Sequence, residues 1–553
     1  MTSDQPTPAE TTRHKWLALG VLAAALSMIV LDGTIVGVAM PRIIRDLGLS
    51  LSDAQWVTSL YSMIFAALLL TMGALGDRLG RRRVFLAGVV VFVLGSLAAA
   101  VSFDASSLIG SRALQGLGGS MLMPATLSSV NATFRGRDRN IAFGVWGAVM
   151  AGMAAIGPLL GGWLTTYIDW RWIFWVNLPI GGLVIVGALM WVPETRGDAS
   201  GRFDVVGQLL SASALAVLVF GLIEGTTLGW TTPAADFSVG ALTWPATMPV
   251  SLALVALLVG AFLLVGFVAW EQQRLNVDQA PLLDLRLFAI PTFTWGNITA
   301  MTVNAGEFAL VFVLPLFLVN VLGLDIMGAG LVLAAMAVGA FFSGAAARRL
   351  SERLGPPRVV LVGLALELIG VVATAATLTP AASPYLVAAT MAVYGLGLGL
   401  AAAQLTSTVL AGVPVARSGV AAATQSTLRQ LGSALGAALA GTVLAIALTI
   451  RIPFRFEGTN TPDGIVDLII EKTIQSAGGT IPRYRAMGDE AGAAVPYLEK
   501  AFTDATAAVI WLAAGFLVLG LLGAVMVARK ASVQESETEP DEARQDAAGV
   551  PTA

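Results

Sequence analysis

"GALGDRLGRRRVFL", residues 73–86, crowds Asp77 and the arginines at 78, 81, 82 and 83 into a short gap between two apolar runs, roughly 54–76 and 84–103. Each run has about the twenty residues a helix needs to cross the hydrocarbon core of a bilayer. Charge gathered in the gap and nearly absent from its flanks is the pattern of a short loop joining two spanning helices. The same alternation continues in both directions along the chain.

Fourteen spans are expected. Six lie at roughly 16–40, 54–76, 84–103, 106–130, 141–166 and 172–192, two at roughly 205–223 and 248–270, and six at roughly 293–320, 326–347, 358–378, 384–411, 419–449 and 505–528. An even number puts both termini on one side. Arginine and lysine decide which side, because positive loops stay in the cytoplasm. With the N-terminus inside, the inner loops and span ends hold twenty basic residues, while the short outer loops hold three, Arg42, Arg45 and Arg171. The long segment 451–503 holds six more, but long loops cross largely regardless of charge. The expectation is N-in and C-in.

A weaker copy of the opening stretch, "GAAARRLSERLGPPRVVL" (344–361), joins spans ten and eleven with the same small-residue lead, basic cluster and apolar exit. It falls where two six-helix halves put it if spans seven and eight are inserted between them. The expected organisation is a disordered tail over 1–12, a six-helix half over 13–192, and two inserted helices with linkers over 193–285. A second six-helix half follows over 286–530, with a long external loop at 451–503, and a disordered tail over 531–553. Basic residues before the first run resemble a signal peptide, but the run is too long and lacks a small-x-small cleavage site, so it is expected to stay as the first helix.

Composition excludes other classes. With 56% hydrophobic and 12% charged residues the chain does not read as a soluble globular protein. A net charge of -3 argues against nucleic acid, the absence of cysteine removes disulfide and thiolate chemistry, and the single histidine, His14, makes a metal site unexpected. No nucleophile–base pair appears, so no enzyme is expected. "YGLGLGL" (394–400) and "QGLGGS" (115–120) imitate glycine-rich nucleotide loops, yet both fall inside spans, and none of the four lysines sits in a GK[ST]. No cofactor and no ATP site are expected.

Six motifs in order then carry a resemblance. "GALGDRLGRRR" resembles the loop motif of the major facilitator superfamily, with Gly73, Asp77, Arg78, Gly80, Arg81 and Arg82 in place. "LDGTIVGVAMP" (31–41) is similar to the first-helix motif of the fourteen-span drug:proton antiporters. "RALQGLGGS" (112–120) resembles the motif assigned to proton transfer, and "GMAAIGPLLGG" (152–162) the antiporter motif. "WRWIFWVNLPIG" (170–181) and "RQLGSALG" (429–436) resemble stretches of the EmrB/QacA type. The likeness spans about residues 15 to 530. It implies an all-α membrane protein of the major facilitator fold, two six-helix halves plus two inserted helices. It further implies proton-coupled export of hydrophobic or amphipathic drugs across the cytoplasmic membrane, by alternating access. The alternative is a dedicated exporter of one natural product, antibiotic or lipid. Small-molecule substrate, protons and membrane lipid are the expected partners, and a monomer the expected state.

The residues support that reading on their own terms. Asp32 lies inside an apolar run, where a charge costs a few kcal/mol or more and rarely persists without a use. Arg112 lies inside another and cannot be deprotonated, so it needs a buried acid, for which Asp32 is the candidate. The alternative for Arg112 is a purely structural ion pair, and for Asp32 a structural helix-packing carboxylate. Proton coupling is expected at Asp32, Arg112 and Glu307. A substrate cavity is expected around Asp32, Gln115, Asn297, Asn304, Glu307, Gln425 and Arg429. Asn297, Asn304 and Glu307 fall on one helix face, as do Gln425, Arg429, Gly432 and Gly436. Glu367, in mid-span, has no obvious partner and stands as a further candidate. Glu224 and Asp504 lie near helix ends, where contact with water is the simpler reading. Conformational gating is expected of the loop motif, paired across the cytoplasmic face, and of Gly152, Gly157, Pro158, Gly161 and Gly162, whose missing side chains permit close packing or bending. "IVDLIIEKTI" (465–474) reads as a short amphipathic helix on the outer face.

Overall fold

The computed structural model describes residues 8–134, 136–196, 204–239, 242–277, 279, 281–410, 412–413, 418–457, 462–487 and 492–548. The first half of the chain forms α1 Pro8–Leu47, α2 Leu51–Leu79, α3 Arg81–Ala100, α4 Ala105–Thr133, α5 Gly136–Tyr167, the single turn α6 Trp172–Trp175 and α7 Asn177–Trp191. Next come α8 Val205–Leu228 and α9 Leu252–Asn276. The remainder is α10 Pro291–Asn320, α11 Ile326–Leu354, α12 Pro356–Thr377, α13 Pro384–Leu410, α14 Ser418–Phe456, α15 Asp463–Gln475, α16 Thr480–Met487 and α17 Val495–Ala548. Among the described residues 11 helices are long and apolar enough to cross a membrane, or up to 12 with the bent α2 counted. The other two expected spans, α4 and α5, are 29 and 32 residues long but do not reach that mark.

The halves repeat one construction. Gly48 at the α1–α2 junction and Gly323 at the α10–α11 junction both take positive φ, +63° and +69°, which only glycine adopts without strain. Two residues on, a polar side chain caps the next helix: Ser50 Oγ accepts from Asp53 N, and Asp325 Oδ1 accepts from Gly328 N. Gly80 and Gly355 then break the chain between α2 and α3 and between α11 and α12, again at positive φ. The intervals agree: 323 − 48 = 275 and 355 − 80 = 275. The weak echo in the sequence is therefore a repeat of the backbone.

In the first half α1 packs on α5 and α7, and α4 on α2 and α3. In the second, α10 packs on α14 and α17, and α13 on α11 and α12. The halves meet along two seams, α5 with α11 and α2 with α14, and α1 touches α10 between them. The inserted helices α8 and α9 pair with each other. α8 lies over the α2–α14 seam and is tied to both sides: Gln208 Nε2 donates to the Ala67 carbonyl at 2.8 Å, and Thr442 Oγ1 donates to the Leu222 carbonyl at 2.8 Å.

Several expectations change. The chain is not wholly α: Phe237–Val239 and Leu242–Trp244 pair as an antiparallel hairpin between α8 and α9. Its Phe, Val, Leu, Thr and Trp suit a pleated strand, and Phe237 packs edge-on against Phe220 of α8 at 5.6 Å. Residues 8–12 and 531–548, expected as disordered tails, carry helical backbone continuing α1 and α17, in keeping with their Ala, Glu, Gln and Arg content. Residues 1–7 and 549–553 lie outside the described residues. Glu224 and Asp504 are not simply facing water. Glu224 accepts from Trp56 Nε1 at 2.7 Å, and Asp504 pairs with Arg455. The segment after α14 forms α15 and α16, with Val466 and Ile469 of α15 buried against the bundle, and Arg485 of α16 donates to the Val321 carbonyl at 2.9 Å.

Candidate functional site

The acid inside the first span is met at once. Asp32, completely buried on α1, accepts from Arg112 Nη1 at 2.5 Å and from Gln115 Nε2 at 2.8 Å, both on α4. Arg112 also donates to Gln115 Oε1 at 2.7 Å and to the Val57 carbonyl of α2 at 3.3 Å, with its guanidinium 4.2 Å from the centre of the Tyr61 ring. Asn177, the first residue of α7, donates to Asp32 Oδ1 at 3.4 Å and to Ser96 Oγ of α3 at 3.1 Å, and Gln115 donates to the same hydroxyl at 2.8 Å. Five helices thus meet at one buried charge pair. Their backbones come this close because of glycine: a Cβ on Gly116 would stand 2.6 Å from the Tyr61 carbonyl, and one on Gly118 2.5 Å from Phe92 N. The glycines of "QGLGGS" are packing surfaces.

Sequence reasoning found Asp32, Arg112 and Gln115 but missed Asn177, Ser96 and Tyr61. Asn177 stands in "WRWIFWVNLPIG" as a polar residue among apolar ones, a signal that was available. Ser96 and Tyr61 carry no comparable signal.

Arg112 has a second face. Together with Gly33, Gly37, Tyr61 and Ser62 of the first half and Phe308 and Val311 of the second, it lines a narrow recess between the halves. The walls are mostly apolar, with the Arg112 guanidinium, the Tyr61 phenol and the Thr58 and Ser62 hydroxyls as polar groups.

The second-half candidates are spread more widely. Glu307 of α10 and Arg429 of α14 are half-buried and attract each other electrostatically, yet among the described residues no contact-distance ion pair joins them. Asn297 and Asn304 are buried and donate back to their own helix, to the Phe293 and Ala300 carbonyls, each at 2.8 Å. Gln425 is buried with its Nε2 unpartnered. None of these five lines the recess just described, although Glu307 precedes Phe308, which does. Gly432 and Gly436 do what their spacing suggests: a Cβ on them would stand 2.1 and 2.2 Å from the Met301 and Ala305 carbonyls of α10. Glu367 of α12 is completely buried and neither carboxyl oxygen has a hydrogen-bond partner.

The gating candidates separate into two groups. Gly157 and Gly161 of α5 face α1, where a Cβ would stand 1.9 Å from Thr34 Oγ1 and 2.8 Å from Ile35 Cγ1. Gly162 faces the start of α11, and a Cβ on Gly330 would stand 2.6 Å from the Pro158 carbonyl, so this stretch forms part of the seam between halves. Gly152 lies in α5 where the surrounding side chains are outside the described residues. Asp77, Arg81 and Arg82 of the loop motif bond to residues of the first half. Asp77 pairs with Arg81 at 2.8 Å, Arg81 N donates to the Thr195 carbonyl, and Arg82 N donates to Glu194 Oε1 at 3.1 Å. Glu194 sits where a Cβ on Gly80 would be, 2.6 Å away, which adds to the positive φ in requiring glycine. Gly73 lies against Pro124 of α4, and Arg78 is also partnered.

Two helical halves, joined along two seams and enclosing a buried charge pair beside an interfacial recess, are the architecture of a multi-pass membrane transporter. Residues 22–437 match the Major Facilitator Superfamily. Relatives include the multidrug efflux pump LfrA of Mycolicibacterium smegmatis, 31% identical over 86% of this chain and 88% of its own. A probable actinorhodin transporter of Streptomyces coelicolor is 34% identical over 78% and 72%. The tetracenomycin C resistance and export protein of Streptomyces glaucescens is 29% identical over 98% and 96%. Among solved structures, a bacterial homologue of the human lysosomal transporter Spinster, inward-facing and unoccupied, superimposes with a TM-score of 0.61 at 16% identity, covering 95% of this chain and 99% of that one. The chain belongs to the Major Facilitator Superfamily, and its relatives group it with the drug-export antiporters of that superfamily.

Proposed function

We propose that this protein is a fourteen-span proton antiporter of the cytoplasmic membrane, with both termini inside, that exports hydrophobic or amphipathic compounds. The relatives named as multidrug pumps support the breadth of that substrate class. Those named for single antibiotics support the narrower alternative, a dedicated natural-product exporter. The observation that carries the reading is the double position of Arg112, bonded to Asp32 on one side and forming the wall of the interfacial recess on the other. A proton reaching Asp32 neutralises the carboxylate that holds the guanidinium, which frees Arg112 to move within the recess. Substrate and proton then compete through one side chain. Glu307, half-exposed and not held at contact distance, is the second acid available to protons or to a cationic substrate.

The drive is sufficient. One proton falling through about 150 mV releases about 3.5 kcal/mol, a few-hundredfold gradient per proton. The test uses purified protein in liposomes with an imposed pH gradient, following ethidium and proton movement together. Wild type should accumulate the dye as protons leave, whereas Asp32→Asn should bind ethidium and fail to concentrate it. Normal uphill transport by Asp32→Asn would sink the assignment.

A further inference from the structure

The repeat that relates the two halves also relates one acid in each. Asp32 and Glu307 stand at the same interval as the junction glycines, 307 − 32 = 275. The neighbouring helices correspond contact by contact. In the first half a Cβ on Gly95 would stand 2.8 Å from Gln115 N, and in the second a Cβ on Gly370 would stand 2.5 Å from Tyr394 N. Likewise Gly118 faces Phe92 N at 2.5 Å, and Gly397 faces Glu367 N at 2.4 Å. Tyr394 therefore holds the place of Gln115, the residue that hydrogen-bonds Asp32, and Glu367 holds the place of a completely buried phenylalanine.

That exchange of Phe for Glu is costly if nothing uses it. An ionised carboxylate buried without a partner costs several kcal/mol, and the neutral acid much less. Both Glu367 oxygens and the Tyr394 hydroxyl lack hydrogen-bond partners among the described residues, and both side chains are completely buried. α13, which carries Tyr394, packs on both α10 and α12, the helices of the two acids. The charge on Glu307 acts on Tyr394 and on Glu367. Arg429 of α14 acts on Glu307, and among the described residues α11 and α17, which also pack on α12, bring no charge that acts on Glu367. The first half answers its acid with Arg112, Gln115 and Asn177. The second sets Arg429 near its acid without a contact-distance pair among the described residues, and puts a phenol and another acid in the places of Gln115 and Phe92.

We infer that Glu367 is a second proton-binding carboxyl, a fully buried acid that stands where the first half holds a phenylalanine. Glu367 stores a proton in the second half and leaves Glu307 able to hold a cation. This deepens the proton-coupled export reading and rests on it for its physiological use, but the site itself is measurable without transport.

The experiment is pH-difference infrared spectroscopy of the purified full chain between about pH 5 and 10, following carboxyl C=O bands in H₂O and D₂O. Glu367→Gln should remove one titrating band that wild type shows, and release about one proton fewer per molecule over the same range. Glu367→Asp should keep a titrating band, shifted, which separates loss of the acid from loss of the fold. Superimposable spectra of wild type and Glu367→Gln, or a Glu367 band that neither titrates nor exchanges, would overturn the proposal. Loss of the band in Glu367→Gln, together with no dye-coupled proton movement in wild-type liposomes, would leave the proton site standing and overturn the export reading instead.

Discussion

Arg112 and Asp32 show what a buried charge pair requires at the scale of single residues. Neither side chain has access to water, at 2% and 0% exposed, so each depends on the other and on Gln115, Asn177 and a carbonyl to satisfy its remaining polar atoms. Removing one partner leaves the other charge uncompensated, which costs about 3–5 kcal/mol, whereas removing both charges costs far less. Arg112→Gln should therefore lower the melting temperature in detergent markedly, and Asp32→Asn combined with Arg112→Gln should recover most of the loss. Equal stability of the single and double variants would mean that the pair does not hold this site together. The pairing itself was legible in the sequence, because an arginine in hydrocarbon demands an acid and few were on offer. That an amide and a hydroxyl join it was not, even though Asn177 stands out among apolar residues, since Ser96 and Asn177 are brought to Asp32 only by the packing of α3 and α7 on their neighbours.

At the scale of elements, small residues set how close helices run. Gly157 presses on Thr34, two residues from Asp32, so any side chain there must displace the threonine. Overpacking of this kind costs about 1–3 kcal/mol. Gly157→Ala should slow dye export and lower stability, and Thr34→Ala in the same chain should restore both, measured as initial export rate and melting temperature. No recovery would mean that α5 fails for another reason, such as loss of bending at Pro158. The spans themselves were readable within several residues because hydropathy over about twenty positions is a local property. The β-hairpin was missed because two strands of three residues are too short for a periodic signal. The helices α15 and α16 were only half anticipated, because their burial depends on the end of the bundle they cover.

At the scale of the whole molecule, the two halves are closed together at the end away from the termini. Gln55 Nε2 donates to the Ala438 carbonyl at 2.6 Å and Ser59 Oγ to the Ala434 carbonyl at 3.2 Å, while Pro158 and Gly162 pack on the start of α11. At the other end Asp77, Arg81 and Arg82 of the loop motif bond to Thr195, Glu194 and one another within the first half. Alternating access requires the closed end to separate. The chain has no cysteine, so Ser59→Cys with Ala434→Cys gives a clean pair across the seam. Oxidation should join them and stop ethidium export, and reduction should restore it. Full export by the cross-linked protein would mean that this end never opens.

Sequence alone indicated the helices, the repeat of the loop motif and the glycine faces, because each follows from composition over one helix or one turn. Only the tertiary structure decided which acid is locked and which is open. It also decided that a tyrosine and a second glutamate take the places of a glutamine and a phenylalanine. Those outcomes depend on groups 80 residues apart, as in Arg112 and Asp32, or 383 apart, as in Gln55 and Ala438. A buried polar atom takes whichever partner the packing of distant helices brings within about 3 Å, and nothing in its own neighbourhood of sequence names that partner.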